Sequence, residues 1–214
     1  MKKAIIFLNG EIDLDFCEKY LYHTKSSNYY NIYCTDGAYN KIKASDYIMR
    51  DLKLISGDFD SLGDIDKLDI PNNIKVMPTP DQNYTDFEKL LLLLRPNCYT
   101  HYDIFGASGN EMDHYLGILS IALKWIKKIK MRFIDKYSQY EVARDIYSKV
   151  NVIGKRVSII PLTRMHNVFF NGLKYHINGE DLSLGRYIST RNIAVSNKIC
   201  ITCDSGDFVV FISH

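Results

Sequence analysis

Residues 52–61 read LKLISGDFDS, and the fold turns on how that run ends. The apolar, β-prone stretch Leu52–Ser56 gives way at once to a glycine and two aspartates. A strand that stops this way delivers carboxylates to its carboxyl end, the edge at which open parallel sheets bind ligands. If the backbone stays extended, the spacing of Asp58 and Asp60 puts both on one side. The neighbouring segments repeat the pattern. NIYCT (31–35) runs into Asp36 of DGAYN, and IKVMPTP (74–80) into Asp81 and Asp86 of DQNYTD. YDIF (102–105) runs into GASGNEMDH, which carries Asp113. Each piece alone has an ordinary explanation: Asp-Gly as a turn, Thr85 with Glu88 as a capping box, Asp86 as an acid favoured in a first helical turn. Four successive strand exits with carboxylates are poorly explained by four independent accidents.

Outward from that stretch, further strand candidates are Ala4–Leu8 and Met131–Ile134, with helical periodicity at Asp86–Arg95 and Met112–Ile129. Short β-rich runs alternating with amphipathic ones predict a mostly parallel sheet with flanking helices. From about Tyr137 the long helical periods vanish. Val157–Pro161, Val168–Asn171, Ile199–Thr202 and Phe208–Ile212 are separated by Asn, Gly and Asp turns, which predicts a C-terminal all-β sandwich. The fold class is therefore α/β with an all-β tail, divided into residues 1–134 and 135–214.

Composition closes off other classes. The formal charge of +2 is spread among interleaved acids and bases, so there is no basic stripe for nucleic acid. Leu90–Leu94 is too short to cross a bilayer. MKKAIIFLNGE resembles a signal peptide only at its start, because acids follow with no small-residue cleavage site. The expectation is a soluble cytoplasmic protein without membrane or nucleic-acid partners. Five cysteines, an odd number, do not form a disulfide framework. Cys200 and Cys203 form a CxxC with no second pair or suitably spaced histidine, and their odd spacing in a strand sends them to opposite faces.

The chemistry of the carboxylates follows from their charge. Gathering them without a counter-ion is costly. A hard divalent cation supplies one, and Mg²⁺ takes a few carboxylates together with phosphate oxygens and water. Gly37, Gly57, Gly106 and Gly109 allow the close backbone approach that phosphate-cradling loops use.

DGAYN, GDFDS, PDQNYTDFEKLL and GASGNEMDH, in this order and spacing, resemble the four signature segments of the thiamine pyrophosphokinases. The resemblance continues through IIPLT, NGLKY and LSLGRYISTRN, so it spans nearly the whole chain. It implies an N-terminal Rossmann-like α/β domain binding ATP and Mg²⁺, and a C-terminal β-sandwich for thiamine binding and dimerisation. A homodimer would place its active sites at the subunit interface. It further implies that Asp58, Asp60 and Asp86 hold Mg²⁺, with Asp36 and Asp113 in the same acidic crevice. Gly37, Asn40, Asp81, Gln82, Thr85, Gly106, Ser108, Gly109 and His114 would lie on the nucleotide side, His114 as a helix-surface residue rather than a base. Ser183, Leu184, Gly185 and Asn192 would lie near thiamine, with Tyr175 either an aromatic wall or a half-buried strand tyrosine. Two departures stand out: Asn110, Glu111 and Met112 replace an arginine-bearing stretch of the fourth segment, and Arg191 stands before Asn192 where the family has serine.

The expected reaction is attack of the thiamine hydroxyl on the β-phosphorus of ATP, releasing AMP. Either Asp36 or Asp113 would take the proton. The rival readings are a metal-dependent phosphohydrolase, a pyrophosphokinase for another alcohol, or an inactive nucleotide or thiamine sensor.

Overall fold

The structure, a computed structural model, describes residues 3–25, 31–59, 70–97 and 99–214. Asp60 thus lies outside the described residues. The chain divides into two compact units, Met1–Ile121 with Lys127–Lys136, and Ala122–Ile126 with Tyr137–His214.

In the first unit the described strands are β1 (Lys3–Phe7), β2 (Asn31–Thr35), β3 (Leu52–Gly57), β4 (Lys75–Pro78), β5 (His101–Phe105) and β6 (Lys130–Ile134). They pair in parallel in the order β6-β5-β1-β2-β3-β4. β1, β2, β3 and β5 are buried nearly throughout, as parallel strands covered on both faces must be. On one face Ile5, Phe7, Ile32, Cys34 and Ile55 form a cluster with helices α1 (Leu14–Lys25), α2 (Asp36–Ile42) and α3 (Asp46–Met49). Helix α4 (Asp86–Leu94) packs on β2 and β3, burying Phe87, Leu90, Leu91 and Leu94. Phe87 meets Phe133 of β6 edge-on at 6.5 Å. Each such side chain contributes about 1.5–3 kcal/mol on burial. β4, at the sheet edge, is half-exposed and ends in Pro78, a residue tolerated where no neighbour needs its N–H.

Strand boundaries agree with the sequence reading to about a residue. Helix α5 (Met112–Trp125) stops short of the expected Ile129, because the chain must turn to bring Lys130 into β6 beside His101.

The second unit is antiparallel: β7 (Ser138–Val150), β8 (Arg156–Pro161), β9 (Met165–Asn171), β10 (Asn178–Leu182), β11 (Ser189–Ile193) and β12 (Lys198–Ser213). The two tail strands expected at 199–202 and 208–212 are halves of β12, which pairs with β7 on one edge. Its other edge takes β9 near Cys200–Ser205 and β8 at Phe208–Ile212, with a register break between Thr202 and Asp207. β7 was not anticipated, since Glu141, Arg144, Asp145 and Lys149 interrupt its apolar alternation. Val157, Ile159, Met165, Val168, Ile199, Ile201 and Phe208 form the core of this unit.

The molecule is therefore α/β, with parallel strands in one unit and antiparallel strands in the other. Among the described residues no helix is long and apolar enough to cross a membrane.

Candidate active site

β1 lies between β2 and β5, so the strand order reverses there and the carboxyl ends of β1 and β5 flank a switch point, where such sheets open a ligand crevice. The two exits are packed backbone against backbone. Gly10 N–H donates to the Gly106 carbonyl at 2.7 Å, and Glu11 N–H to the Ser108 carbonyl at 2.7 Å. A Cβ on Gly10 would lie 2.4 Å from both of those carbonyl oxygens, so no other residue fits. Gly106 and Gly109 take left-handed φ of 66° and 82°, and Asn110 follows at 59°. Asn110 Nδ2 donates to the Asn9 carbonyl at 3.1 Å. Lys41 of α2 reaches the same place, its Nζ donating to the Asn9 carbonyl at 2.5 Å and the Gly10 carbonyl at 2.8 Å. Burial lowers the Lys41 pKa from its ordinary value. Ser108 Oγ donates to Asp135 Oδ2 at 3.4 Å, tying the loop to the β6 exit.

Asp36 opens α2 and is buried at 5% exposure. Its Oδ1 accepts from Gly37 N–H at 2.7 Å and its Oδ2 from Phe59 N–H at 3.0 Å. Gly57 makes the room, since a Cβ there would stand 2.4 Å from Asp36 Cγ. The backbone does not stay extended after β3: Phe59 has φ of 68°, a conformation costing roughly 1–2 kcal/mol for an L-residue. The condition under which Asp58 and Asp60 would share a side is therefore not met. Burial of the Phe59 ring in the core and its N–H bond to Asp36 hold that turn.

At the β4 exit, Asp81 closes a local turn by accepting from Asn83 N–H at 2.9 Å and Nδ2 at 2.8 Å. Gln82 Nε2 donates across to Asp58 Oδ2 at 3.4 Å. Thr85 caps α4, its hydroxyl accepting from Glu88 N–H at 3.3 Å. One turn on, Lys89 is only 6% exposed. Its Nζ donates to the Thr79 carbonyl at 2.9 Å and Asp86 Oδ1 at 3.1 Å. Thr79 N–H in turn donates to the Gly57 carbonyl at 2.7 Å. Asp36, Asp58, Gln82 and Asp86 thus belong to one bonded framework across the β2, β3 and β4 exits.

Other expected residues sit apart from that framework. Asn40 is exposed on α2, its Oδ1 taken by Lys43 Nζ at 2.8 Å. Asp113 and His114 are exposed in the first turn of α5, Asp113 Oδ1 accepting from His114 N–H at 2.9 Å. Glu111, which replaces a base, pairs with His114 Nε2 at 3.6 Å.

No three His, Cys, Asp or Glu side chains gather as a metal-holding group among the described residues, which exclude Asp60. The donors present still suit a hard cation. Asp58 is partly exposed and the Asp86 side chain is 37% exposed, so both keep carboxylate oxygens within reach of a ligand. Asn9, Gly10, Lys41 and Lys89 escaped the sequence reading. The signal available for Asn9 and Gly10 is the Asn-Gly at a fifth strand exit, followed directly by Glu11.

The second unit treats its expected residues differently. Ser183 and Tyr187 exchange backbone bonds of 3.0 Å around a turn holding Leu184 and Gly185, and Leu184 is 62% exposed. Tyr175 lies between β9 and β10 and is 59% exposed, so it is neither in a strand nor half-buried. Asn192, by contrast, is 1% exposed and spends its amide on the backbone. Its Oδ1 accepts from the N–H groups of Tyr175 and Ile193 at 2.9 Å, and its Nδ2 donates to the Tyr175 carbonyl at 2.8 Å. That amide holds the backbone of Tyr175 on both its N–H and its carbonyl. Arg191 takes a φ of 55° in an irregular part of the β8–β11 register, and its N–H donates to Ser158 Oγ at 2.9 Å. Cys200 lines an outer cleft with Phe169, Asn171 and Thr202, whereas Cys203 packs on the core. The opposite-face expectation for the CxxC holds.

Known proteins resemble this chain in sequence and in fold. A family model described as thiamin pyrophosphokinase, catalytic domain, matches residues 22–134, over half the chain. A second, the thiamin pyrophosphokinase vitamin B1 binding domain, matches residues 144–207. Thiamin pyrophosphokinase 1 of Caenorhabditis elegans is 27% identical over 184 residues, covering 80% of this chain and 74% of that protein. Thiamine pyrophosphokinase of Bacillus subtilis is 25% identical over 154 residues, covering 66% and 69%. The solved structure of a Bacillus subtilis thiamine pyrophosphokinase superposes with a TM-score of 0.82 at 21% identity, over 99% of each chain. That of yeast thiamin pyrophosphokinase gives 0.83 at 15% identity, over 99% of this chain and 86% of that one.

Proposed function

The chain belongs to the thiamin pyrophosphokinase family, and we infer from that membership and the strand-exit geometry how its residues carry the family's reaction. It is an ATP:thiamine diphosphotransferase, making thiamine diphosphate and AMP. The thiamine hydroxyl oxygen bonds to the β-phosphorus of ATP as the bond from that phosphorus to the α-phosphate oxygen breaks. The leaving oxygen departs with AMP, and the hydroxyl proton goes to a carboxylate.

Such a transfer asks the protein chiefly for alignment and charge compensation. Asp58, Asp60 and Asp86 would hold a divalent cation, Mg²⁺ in this reading, which when bound offsets phosphate charge. Lys89, buried one turn into α4 and bonded to the Thr79 carbonyl, positions Asp86. Asp36 holds the β3 exit by its two backbone N–H bonds, so Asp113, exposed at the start of α5, is the better acceptor for the proton. Gln82 steadies Asp58, while Gly37, Gly106, Ser108 and Gly109 shape the loops that approach the nucleotide. Residues 1–134 form the Rossmann-like ATP domain, and residues 135–214 a β-sandwich that binds thiamine. There Ser183, Leu184 and Gly185 contribute a turn, and Tyr175 an aromatic surface for a cationic heterocycle. A cytoplasmic homodimer with sites shared between subunits completes the reading.

The observation that carries it is the bonded framework joining Asp36, Asp58, Gln82 and Asp86 across three consecutive parallel strand exits. No feature of the geometry favours a hydrolase or an inactive sensor. Incubation with ATP, Mg²⁺ and thiamine should yield AMP and thiamine diphosphate in equal amounts, whereas ADP or free phosphate would count against the reaction. Asp58→Asn and Asp86→Asn should each abolish turnover with little loss of folding stability. Wild-type turnover in either would overturn the metal assignment.

A further inference from the structure

The switch point between β1 and β5 carries a lysine held by backbone carbonyls. Among the basic groups around the strand exits, Lys89 is paired with Asp86, Lys136 with Glu11 and His114 with Glu111. Lys41 has no such partner among the described residues, and its contacts are the carbonyls of Asn9 and Gly10. A lysine ammonium carries three N–H donors, so two carbonyls leave one unspent. Carbonyl dipoles satisfy hydrogen bonds but do not neutralise a full charge, and a partly desolvated cation gains most from an incoming anion. The surrounding construction keeps the ammonium in place. Asn110 Nδ2 shares the Asn9 carbonyl with it, and Gly10 is locked against Gly106 and Ser108 by backbone contact. Side-chain freedom is therefore already lost before any ligand arrives.

We propose that Lys41 is a phosphate-binding residue of this enzyme, its ammonium donating to a phosphate oxygen of the nucleotide at the β1–β5 exit. The assignment rests on the use of ATP inferred above and adds a residue to the nucleotide side that carries positive charge. It also accounts for a loop that tolerates Glu111: the cation there is supplied from α2 instead.

The test separates charge from clamping. Glutamine at position 41 can still donate hydrogen bonds to carbonyls but has no charge, whereas arginine keeps the charge. Binding of ATP with Mg²⁺ to the full chain should weaken roughly 10- to 100-fold in Lys41→Gln, the range for a lost charge-assisted hydrogen bond. Lys41→Arg should recover most of the affinity, and KM for thiamine should move less than about twofold in both. Inorganic pyrophosphate should show the same ranking. Equal ATP affinity in Lys41→Gln and wild type would overturn the proposal, as would equal impairment of the Gln and Arg variants, which indicates a clamp alone. In the wild-type protein, with no variant required to fold, saturating ATP should slow acetylation of Lys41; unchanged labelling also overturns it. These are binding readouts, so ATP binding that depends on Lys41 without AMP release onto thiamine would refute the reaction and leave this assignment standing.

Discussion

Asp36 and Asn192 are both buried polar side chains that organise irregular backbone, and they do it with opposite chemistry. Asp36 meets two N–H groups, from the start of a helix and from the left-handed Phe59, and a carboxylate offers only acceptors. Asn192 meets two N–H groups and a carbonyl, so it needs an amide that both accepts and donates. Space is made differently too. Beside Asp36 it comes from deleting a side chain at Gly57, and around Asn192 from an irregular strand that turns through Arg191. The first region is over-determined, with strain at Phe59 held by packing and hydrogen bonds. The second is a single side chain imitating a strand partner for Tyr175. A functional motif in the first region is therefore backbone packing as much as chemistry, whereas in the second it is one residue deep.

The harshest way to break the first region is Gly57→Ala. The new methyl meets a carboxylate pinned at both oxygens, so overpacking should cost about 1–3 kcal/mol, and displacement of the loop bearing Asp58 should reduce AMP release at least roughly 100-fold. Chemical denaturation and initial rates read both, and wild-type values for both would show that the region is not packed as described. Asn192→Ala should cost about 1–3 kcal/mol by stranding the N–H and carbonyl of Tyr175. Its kinetic effect should be smaller, a rise of about severalfold in KM for thiamine with KM for ATP unchanged. A rise for ATP instead would make Asn192 a general structural residue.

Two milder tests sharpen the picture of the second unit. The Asn167 backbone N–H, then Arg164, hold the Asp181 carboxyl below its ordinary value. A lowered folded value stabilises above the ordinary carboxylate range, and that contribution is lost as pH falls through the lowered value. Asp181→Asn should therefore lower the unfolding midpoint slightly at neutral pH and not at all in strong acid; a constant deficit across pH would exclude the charge. The smallest effect is chemical. Burial, with nearby Asp145, pushes the Cys203 thiol up to about 11, so iodoacetamide at pH 8 should leave it largely unmodified. Rapid alkylation would mean that this stretch of β12 opens.

The strand order of the first unit was not legible in the residues, though its six described strands and the helices α4 and α5 were, because buried parallel strands are short β-prone runs that end in turn residues; α1, α2 and α3 were not named. β7, β10 and β11 were missed since half-exposed strands with polar and charged outward residues look like loops in sequence. Among the site residues, Asp36, Asp58, Gly106 and Gly109 stand at strand exits, whereas Asp113 stands in the first turn of α5 and Asp60 lies outside the described residues. Lys41 and Lys89 were passed over because a lysine reads as surface until its ammonium is seen against backbone carbonyls. That the Asn192 amide faces backbone is shown only by its burial and its hydrogen bonds, which no local pattern of residues carries.

By itself the sequence determined the alternation of elements, the strand-exit carboxylates and the family to which their spacing points, because these are local patterns of apolarity and turn chemistry. Only the tertiary structure decided which exits meet across the switch point, that Phe59 turns left-handed, and that Lys41 stands without a carboxylate among the described residues. Those outcomes depend on contacts between residues far apart in the chain, where charge, burial and hydrogen-bond direction are set by neighbours that no local pattern names.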